Sequence, residues 1–156
     1  MSWTAFCFLL TLSLNPGVPP GQLSEKTDAG TWLTFVKLTC EEYNVDPAFA
    51  LGLWQIESSL PGGPTIRLGR LGRTQYYGPG GLFRGCKILK GLDLDNPWVA
   101  TWASVQALKG TGFNEAAQKR RLRSYNAQWT PRYERDVMAA KRKWVEKQKA
   151  NSGNSP

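Results

Sequence analysis

Three times in this chain a capping side chain stands directly before a proline: Asp46-Pro47, Asn96-Pro97 and Thr130-Pro131. Asp, Asn and Thr accept from the orphan amides of a helix's first turn, and proline at the first helical position has no amide to leave unpaired. Apolar residues come after each pair at helical spacing. Behind Pro47 stand Phe49, Leu53, Ile56 and Leu60, expected to form one buried stripe. Behind Pro97 stand Trp98, Trp102, Val105 and Leu108, with Gly110 as a stop. Behind Pro131 stand Tyr133, Val137, Ala140 and Trp144. The chain is therefore expected to be mainly α.

Two more helices are expected. One runs over roughly 30–44, with Trp32, Phe35, Thr39 or Cys40, and Tyr43 inward; the other runs from Asn114 to about Tyr125. A short helix is also expected between Gly81 and Gly91. Residues 61–81 are rich in Gly, Pro, Arg and Thr and read as irregular, with a short hairpin around 65–77. Residues 147–156 lack an apolar face and read as a disordered tail.

A chain of 156 residues suits one domain, placed here at about 29–146. The apolar, uncharged run from Trp3 to Leu14 is too short for a bilayer, which needs about 20 residues. It resembles the apolar core of a secretory signal, without a basic start or an Ala-x-Ala site. Residues 1–22 are thus expected to be a leader, and the protein to be exported, periplasmic or extracellular. Removal of the leader would take Cys7 with it. Cys40 and Cys86 then either pair in an oxidising compartment or remain separate buried thiols, and both outcomes stay open.

Histidine is absent, which removes Ser-His and Cys-His nucleophiles and the commonest metal ligand. There is no Cys-x-x-Cys pair, and Gly78-Pro79-Gly80-Gly81 lacks the Lys-Ser or Lys-Thr of a phosphate loop. No metal or cofactor is expected. The formal net charge of +8 is unevenly spread. Residues 65–90 carry six Lys or Arg and no acid, and residues 119–156 carry eleven against three acids. Such a field favours polyanions or anionic surfaces without choosing among them.

Glu57 is the candidate for chemistry. It closes the helix that Asp46-Pro47 opens, four residues from Leu53 and three from Trp54. Apolar neighbours and a place in the last turn, where the macrodipole opposes negative charge, both favour the neutral carboxyl that a general acid needs. Most glutamates near helix ends are merely solvated, so the assignment rests on three later segments of the chain.

With Glu57-Ser58 as the first, four segments occur in order. The second is Tyr77-Gly78-Pro79-Gly80-Gly81-Leu82-Phe83, and the third is Asp95-Asn96-Pro97-Trp98. The fourth is Ser124-Tyr125-Asn126-Ala127, with Tyr133-Glu134-Arg135-Asp136-Val137 after it. Over roughly residues 31–145 this resembles the soluble lytic transglycosylase family, the goose-lysozyme-like branch of the lysozyme superfamily. That family's marks are a Glu-Ser pair, a Gly-Leu-Met-Gln-like turn and an Ala-Tyr-Asn-Ala-Gly-like segment. The chain departs from them at Arg84, where glutamine is common, and at Gln128, where glycine is common.

The resemblance implies a lysozyme-like helical domain acting on the glycan strands of peptidoglycan. Glu57 would be the single general acid/base at the bond between N-acetylmuramic acid and N-acetylglucosamine. Tyr125 would hydrogen-bond Glu57 or substrate, with its hydroxyl within about 3–4 Å of the carboxylate or one water away. Asn126 would hold an acetamido or peptide group. Ser58 would orient Glu57. Leu82 and Phe83 would wall the cleft, with Tyr77 and Gly81 as further substrate-binding or supporting residues. Arg84, with Arg67, Arg70 and Arg73, would meet substrate carboxylates. Two other readings remain: a hydrolytic lysozyme or phage endolysin, which usually needs a second carboxylate, and a small basic helical protein that binds nucleic acid. A secretion-system or phage assembly is the natural setting for a partner, and no specific nucleic acid is expected on the first reading.

Overall fold

The computed structural model describes residues 29–58, 70–71, 76–83, 89–94, 96–126 and 128–153. The protein is mainly helical among these residues. Helix α1 spans Ala29–Glu42 and α2 spans Pro47–Ser58. Three two-residue strands come next, β1 (Arg70–Leu71), β2 (Tyr76–Tyr77) and β3 (Leu82–Phe83). Then come α3 (Pro97–Gln106), α4 (Glu115–Tyr125) and α5 (Pro131–Ser152).

All three cap–proline pairs open helices. Asp46 Oδ1 accepts from Ala48 N at 2.9 Å, Asn96 Oδ1 from Trp98 N at 2.9 Å, and Thr130 Oγ1 from Tyr133 N at 3.1 Å. Asn114 caps α4 through Ala117 N at 2.9 Å. In α1 the buried residues are Trp32, Phe35, Val36, Thr39 and Cys40, so both alternatives at 39 and 40 are taken. The helix stops where Asn44 turns to φ 51° and Val45 N reaches back to Cys40 O.

Helix α2 is the centre of the fold and packs chiefly against α5. Ala48, Phe49, Ala50, Leu51, Leu53 and Trp54 are all buried, nearly right round the helix. The residue spacing predicts a single stripe ending in Ile56 and Leu60, but Ile56 is 39% exposed. Burial on several sides makes face periodicity uninformative here, and the last turn leaves the core. Leu60 lies outside the described residues. Gly52 is what lets α5 approach: a Cβ there would sit 2.6 Å from Lys141 N and 2.9 Å from its Cα. Both are backbone atoms, so they cannot rotate away. Gly52→Ala is expected to cost about 2 kcal/mol, read as a lower midpoint in urea unfolding.

A buried polar clip ties α2, α4 and α5 together. Lys141 Nζ lies 3.1 Å from Asp46 Oδ2 and donates to Gln118 Oε1 at 2.7 Å. Gln118 Nε2 in turn donates to Gly112 O at 2.8 Å.

The strands form one antiparallel sheet in the order β1-β2-β3, pairing Arg70 with Tyr77 and Tyr77 with Leu82. The expected hairpin is present as β1 and β2, and a second one adjoins it. At the start of the helix expected between Gly81 and Gly91 the chain is instead a turn and a strand, and residues 84–88, where most of that helix would run, lie outside the described residues. Gly81 sits at φ +61°, and Leu82–Phe83 pair with Tyr76–Tyr77. The tail expected from 147 is helical to Ser152. Lys, Gln, Glu and Ala are good helix formers and extend α5 without any core to cover.

Cys40 is a free thiol buried in the main core with Val36, Val45 and Phe49. Burial, and then the Asp46 charge, push it up to about 12. The disulfide option is therefore not taken at Cys40. Cys86, Cys7 and the leader lie outside the described residues.

Candidate active site

Glu57 emerges from the core on the last turn of α2, half-buried, just after the fully buried Leu53 and Trp54. Its Oε1 accepts a short hydrogen bond from the Tyr133 hydroxyl on the first turn of α5. Its Oε2 faces Gly81, lying 3.9 Å from where a Cβ on that residue would stand. The carboxylate therefore has one oxygen held by the protein and the other turned to the β2–β3 turn.

That turn is rigidly placed. Gly81 N returns to Gly78 O at 3.2 Å, and Gly80 N donates to Ser104 Oγ on α3 at 3.2 Å. Tyr125, at the end of α4, donates its hydroxyl to Gly80 O at 2.5 Å. A Cβ at Gly80 would meet that hydroxyl at 2.6 Å and Ser104 Oγ at 2.8 Å, so only glycine fits between them. Four elements, α2, the β2–β3 turn, α4 and α5, thus converge on one carboxyl group.

Asn126 C-caps α4, and its Oδ1 accepts from Gln128 N at 2.8 Å. Arg123 lies over the Trp129 ring at 5.2 Å and 3.8 Å from Glu134, tying the end of α4 to the start of α5.

Burial, and then the Glu57 charge, raise the Tyr125 hydroxyl above the usual phenol range. Burial, and then the hydrogen bond and charge of Glu57, do the same for Tyr133, while Asn126 acts in the opposite direction. Both phenols stay protonated donors across the working range. The unfolded chain deprotonates first, near the ordinary tyrosine value of about 10. Stability from these two groups is therefore intact below that pH and falls as pH rises through it. Urea midpoints measured from pH 8 to 11 should show this fall, and Tyr125→Phe with Tyr133→Phe should flatten it.

Of the expected site residues, the structure brings together Glu57, Gly81, Tyr125 and Asn126. The tyrosine bonded to Glu57 is Tyr133, whereas Tyr125 donates to the carbonyl of Gly80. The sequence shows Tyr133 as a member of a core stripe and at the head of the last segment of the resemblance, with no role assigned at Glu57. The available signal is its place in the first turn of α5, at the rim of that stripe, where an aromatic can bury its ring and keep its hydroxyl outward. Asn126 ends the helix, and its side-chain oxygen is held within its own loop by Gln128 N. Leu82 is buried and packs in a second core cluster with Phe35, Trp98 and Trp102. Ser58 ends α2, and Tyr77 and Phe83 lie in strands. The side chains of these three and of Arg70, and the whole of Arg67, Arg73 and Arg84, lie outside the described residues. No group of three or more Cys, Asp or Glu positioned to hold a metal ion occurs among the described residues.

No protein-family model, curated protein or solved structure matches the chain.

Removing the Tyr133 hydroxyl should slow turnover with little loss of stability. If Glu57 serves as an acid, Tyr133→Phe is expected to lower the rate of the reaction it serves by about 10- to 100-fold. Thermal unfolding of the same variant would show that the fold is retained.

Proposed function

We propose that the protein is a peptidoglycan lytic transglycosylase that uses Glu57 as its single acid and base. The observation that carries the reading is the isolation of this carboxyl. It sits at a helix end three residues after the buried Trp54, one oxygen held by Tyr133 and the other turned to a glycine turn. Glu57 is the carboxylate hydrogen-bonded to a site tyrosine among the described residues. A glycosidase that activates water ordinarily needs a second carboxylate. An intramolecular sugar hydroxyl does not.

In the proposed reaction Glu57 Oε2 gives its proton to the glycosidic oxygen as the bond to the muramyl anomeric carbon breaks. The N-acetylglucosamine hydroxyl leaves. The carboxylate then takes the proton of the muramyl C6 hydroxyl, whose oxygen closes on the anomeric carbon as a 1,6-anhydro ring. Glu57 ends protonated, as it began, and no water is consumed. Tyr133 donates to Oε1 throughout and stabilises the carboxylate between the two transfers. Gly81, lacking a side chain, leaves room for the sugar beside Oε2.

The test is the product. Purified sacculi digested by the full protein should yield muropeptides with anhydro ends, lighter by one water than hydrolysed ends. Reducing muramyl ends would assign hydrolysis instead, and intact sacculi would remove the reading.

A further inference from the structure

The turn that faces Glu57 is held in a form its own sequence does not favour. The bond from Gly81 N to Gly78 O closes a β-turn with Pro79 and Gly80 at its centre. Pro-Gly at those two positions favours a type II turn, in which the glycine takes a positive φ. Gly78 and Gly81 do have positive φ, but Gly80 does not. The central peptide, between Pro79 and Gly80, is therefore not oriented as in a type II turn. Its amide proton goes instead to α3, where Gly80 N donates to Ser104 Oγ at 3.2 Å. Ser104 gives its own proton to Ala100 O at 2.8 Å, so toward the turn it presents a lone pair. Ser104 is fully buried, and a carbonyl reversed toward it would meet oxygen instead of a donor.

We propose that Ser104 is a positioning residue: by holding the central peptide of this turn, it keeps Gly81 in place beside Oε2 of Glu57. Gly80 is fixed from two helices, its N by Ser104 on α3 and its O by Tyr125 on α4. Gly81 comes next in the chain and lies on the Glu57 side, its Cβ position 3.9 Å from Oε2. Loss of the Ser104 hydroxyl leaves a buried amide without an acceptor. The turn then recovers by reversing its central peptide or by leaving α3 for water, and either change loosens the residue from which Gly81 hangs. Ser104 touches no substrate and acts only through the turn that borders the proposed sugar site. Its helix otherwise serves the core, with Trp102, Ala103 and Val105 buried beside it.

This inference rests on the transglycosylase reading, and two measurements on the full protein keep the two apart. Amide hydrogen exchange, read by NMR, follows the turn whatever the reaction is. Ser104→Ala should speed exchange at Gly80 and Gly81 by about tenfold or more, while the core amides of Leu53 and Val137 stay as in the wild type. Turnover of purified sacculi fragments by the same variant should show kcat lowered by about tenfold and KM within about threefold. Combined with Tyr125→Phe, which frees the other side of the same glycine, the loss should be smaller than the product of the two single losses. Unchanged exchange at the two glycines would overturn the proposal, as would exchange raised throughout the core, which marks a merely structural role. Faster exchange in the turn with kcat intact, or losses that multiply, would overturn it too. Undiminished activity of Glu57→Gln would instead remove the underlying reading and leave the exchange result standing.

Discussion

Glu57→Gln is expected to abolish cleavage of peptidoglycan, lowering the rate by at least about 10³-fold. The substitution is nearly isosteric. Its amide oxygen can still accept from the Tyr133 hydroxyl, so the link between α2 and α5 survives. What is lost is the group that carries a transferable proton and the carboxylate that takes the second one. With a single residue serving both transfers, no partner remains to supply residual acid catalysis. Thermal unfolding should be near that of the wild type, and the change should appear wholly in turnover. A mutant that still released anhydro-muropeptides at a comparable rate would place the chemistry elsewhere.

Lys141→Met should be strongly destabilising, costing about 3 kcal/mol. Methionine preserves much of the aliphatic stem but removes the ammonium from Asp46, whose carboxylate is buried. Asp46 keeps its bond from Ala48 N and a 3.4 Å contact from Gln118 Nε2. Neither carries a full charge, and Gln118 Oε1 loses the Lys141 donor as well. The clip joins the start of α2 to the middle of α5, the two helices that carry Glu57 and Tyr133. A drop of roughly 10 °C in unfolding temperature is expected. Asp46→Asn combined with Lys141→Met should recover part of it, because a neutral amide at 46 no longer needs a cation. Equal stability of the single and double variants would show that the pair contributes little.

These effects fall on residues of unequal visibility in the sequence. Asp46, Asn96, Asn114 and Thr130 mark their helices because capping is a local interaction between a side chain and amides two or three residues on. The core of α1, Trp32 through Cys40, is equally legible, since it buries one face; the α3 residues Trp98, Trp102, Val105 and Leu108 are buried as expected, but so are Ala100, Thr101, Ala103 and Ser104 among them. The α2 stripe fails at Ile56 because this helix is surrounded, and a surrounded helix has no preferred face. The helix start expected near Gly81 fails because a single positive φ, invisible in composition, turns the chain into a strand. The tail expected at the end of α5 is ordered as helix because its residues, though poor in apolar groups, are strong helix formers.

The helical class, and Glu57 as the candidate acid, can be read from the chain alone. Acid type, apolar neighbours and helix position are all properties of a dozen consecutive residues. Which tyrosine holds that acid cannot be read in the same way. Tyr125 and Tyr133 lie 68 and 76 positions beyond Glu57, and nothing local distinguishes them as partners. The choice is made by how closely α5 packs on α2 across Gly52, which brings the first turn of α5 over Glu57, while the end of α4 meets the β2–β3 turn at Gly80. A contact between distant segments is set by helix placement, and helix placement is a property of the whole core.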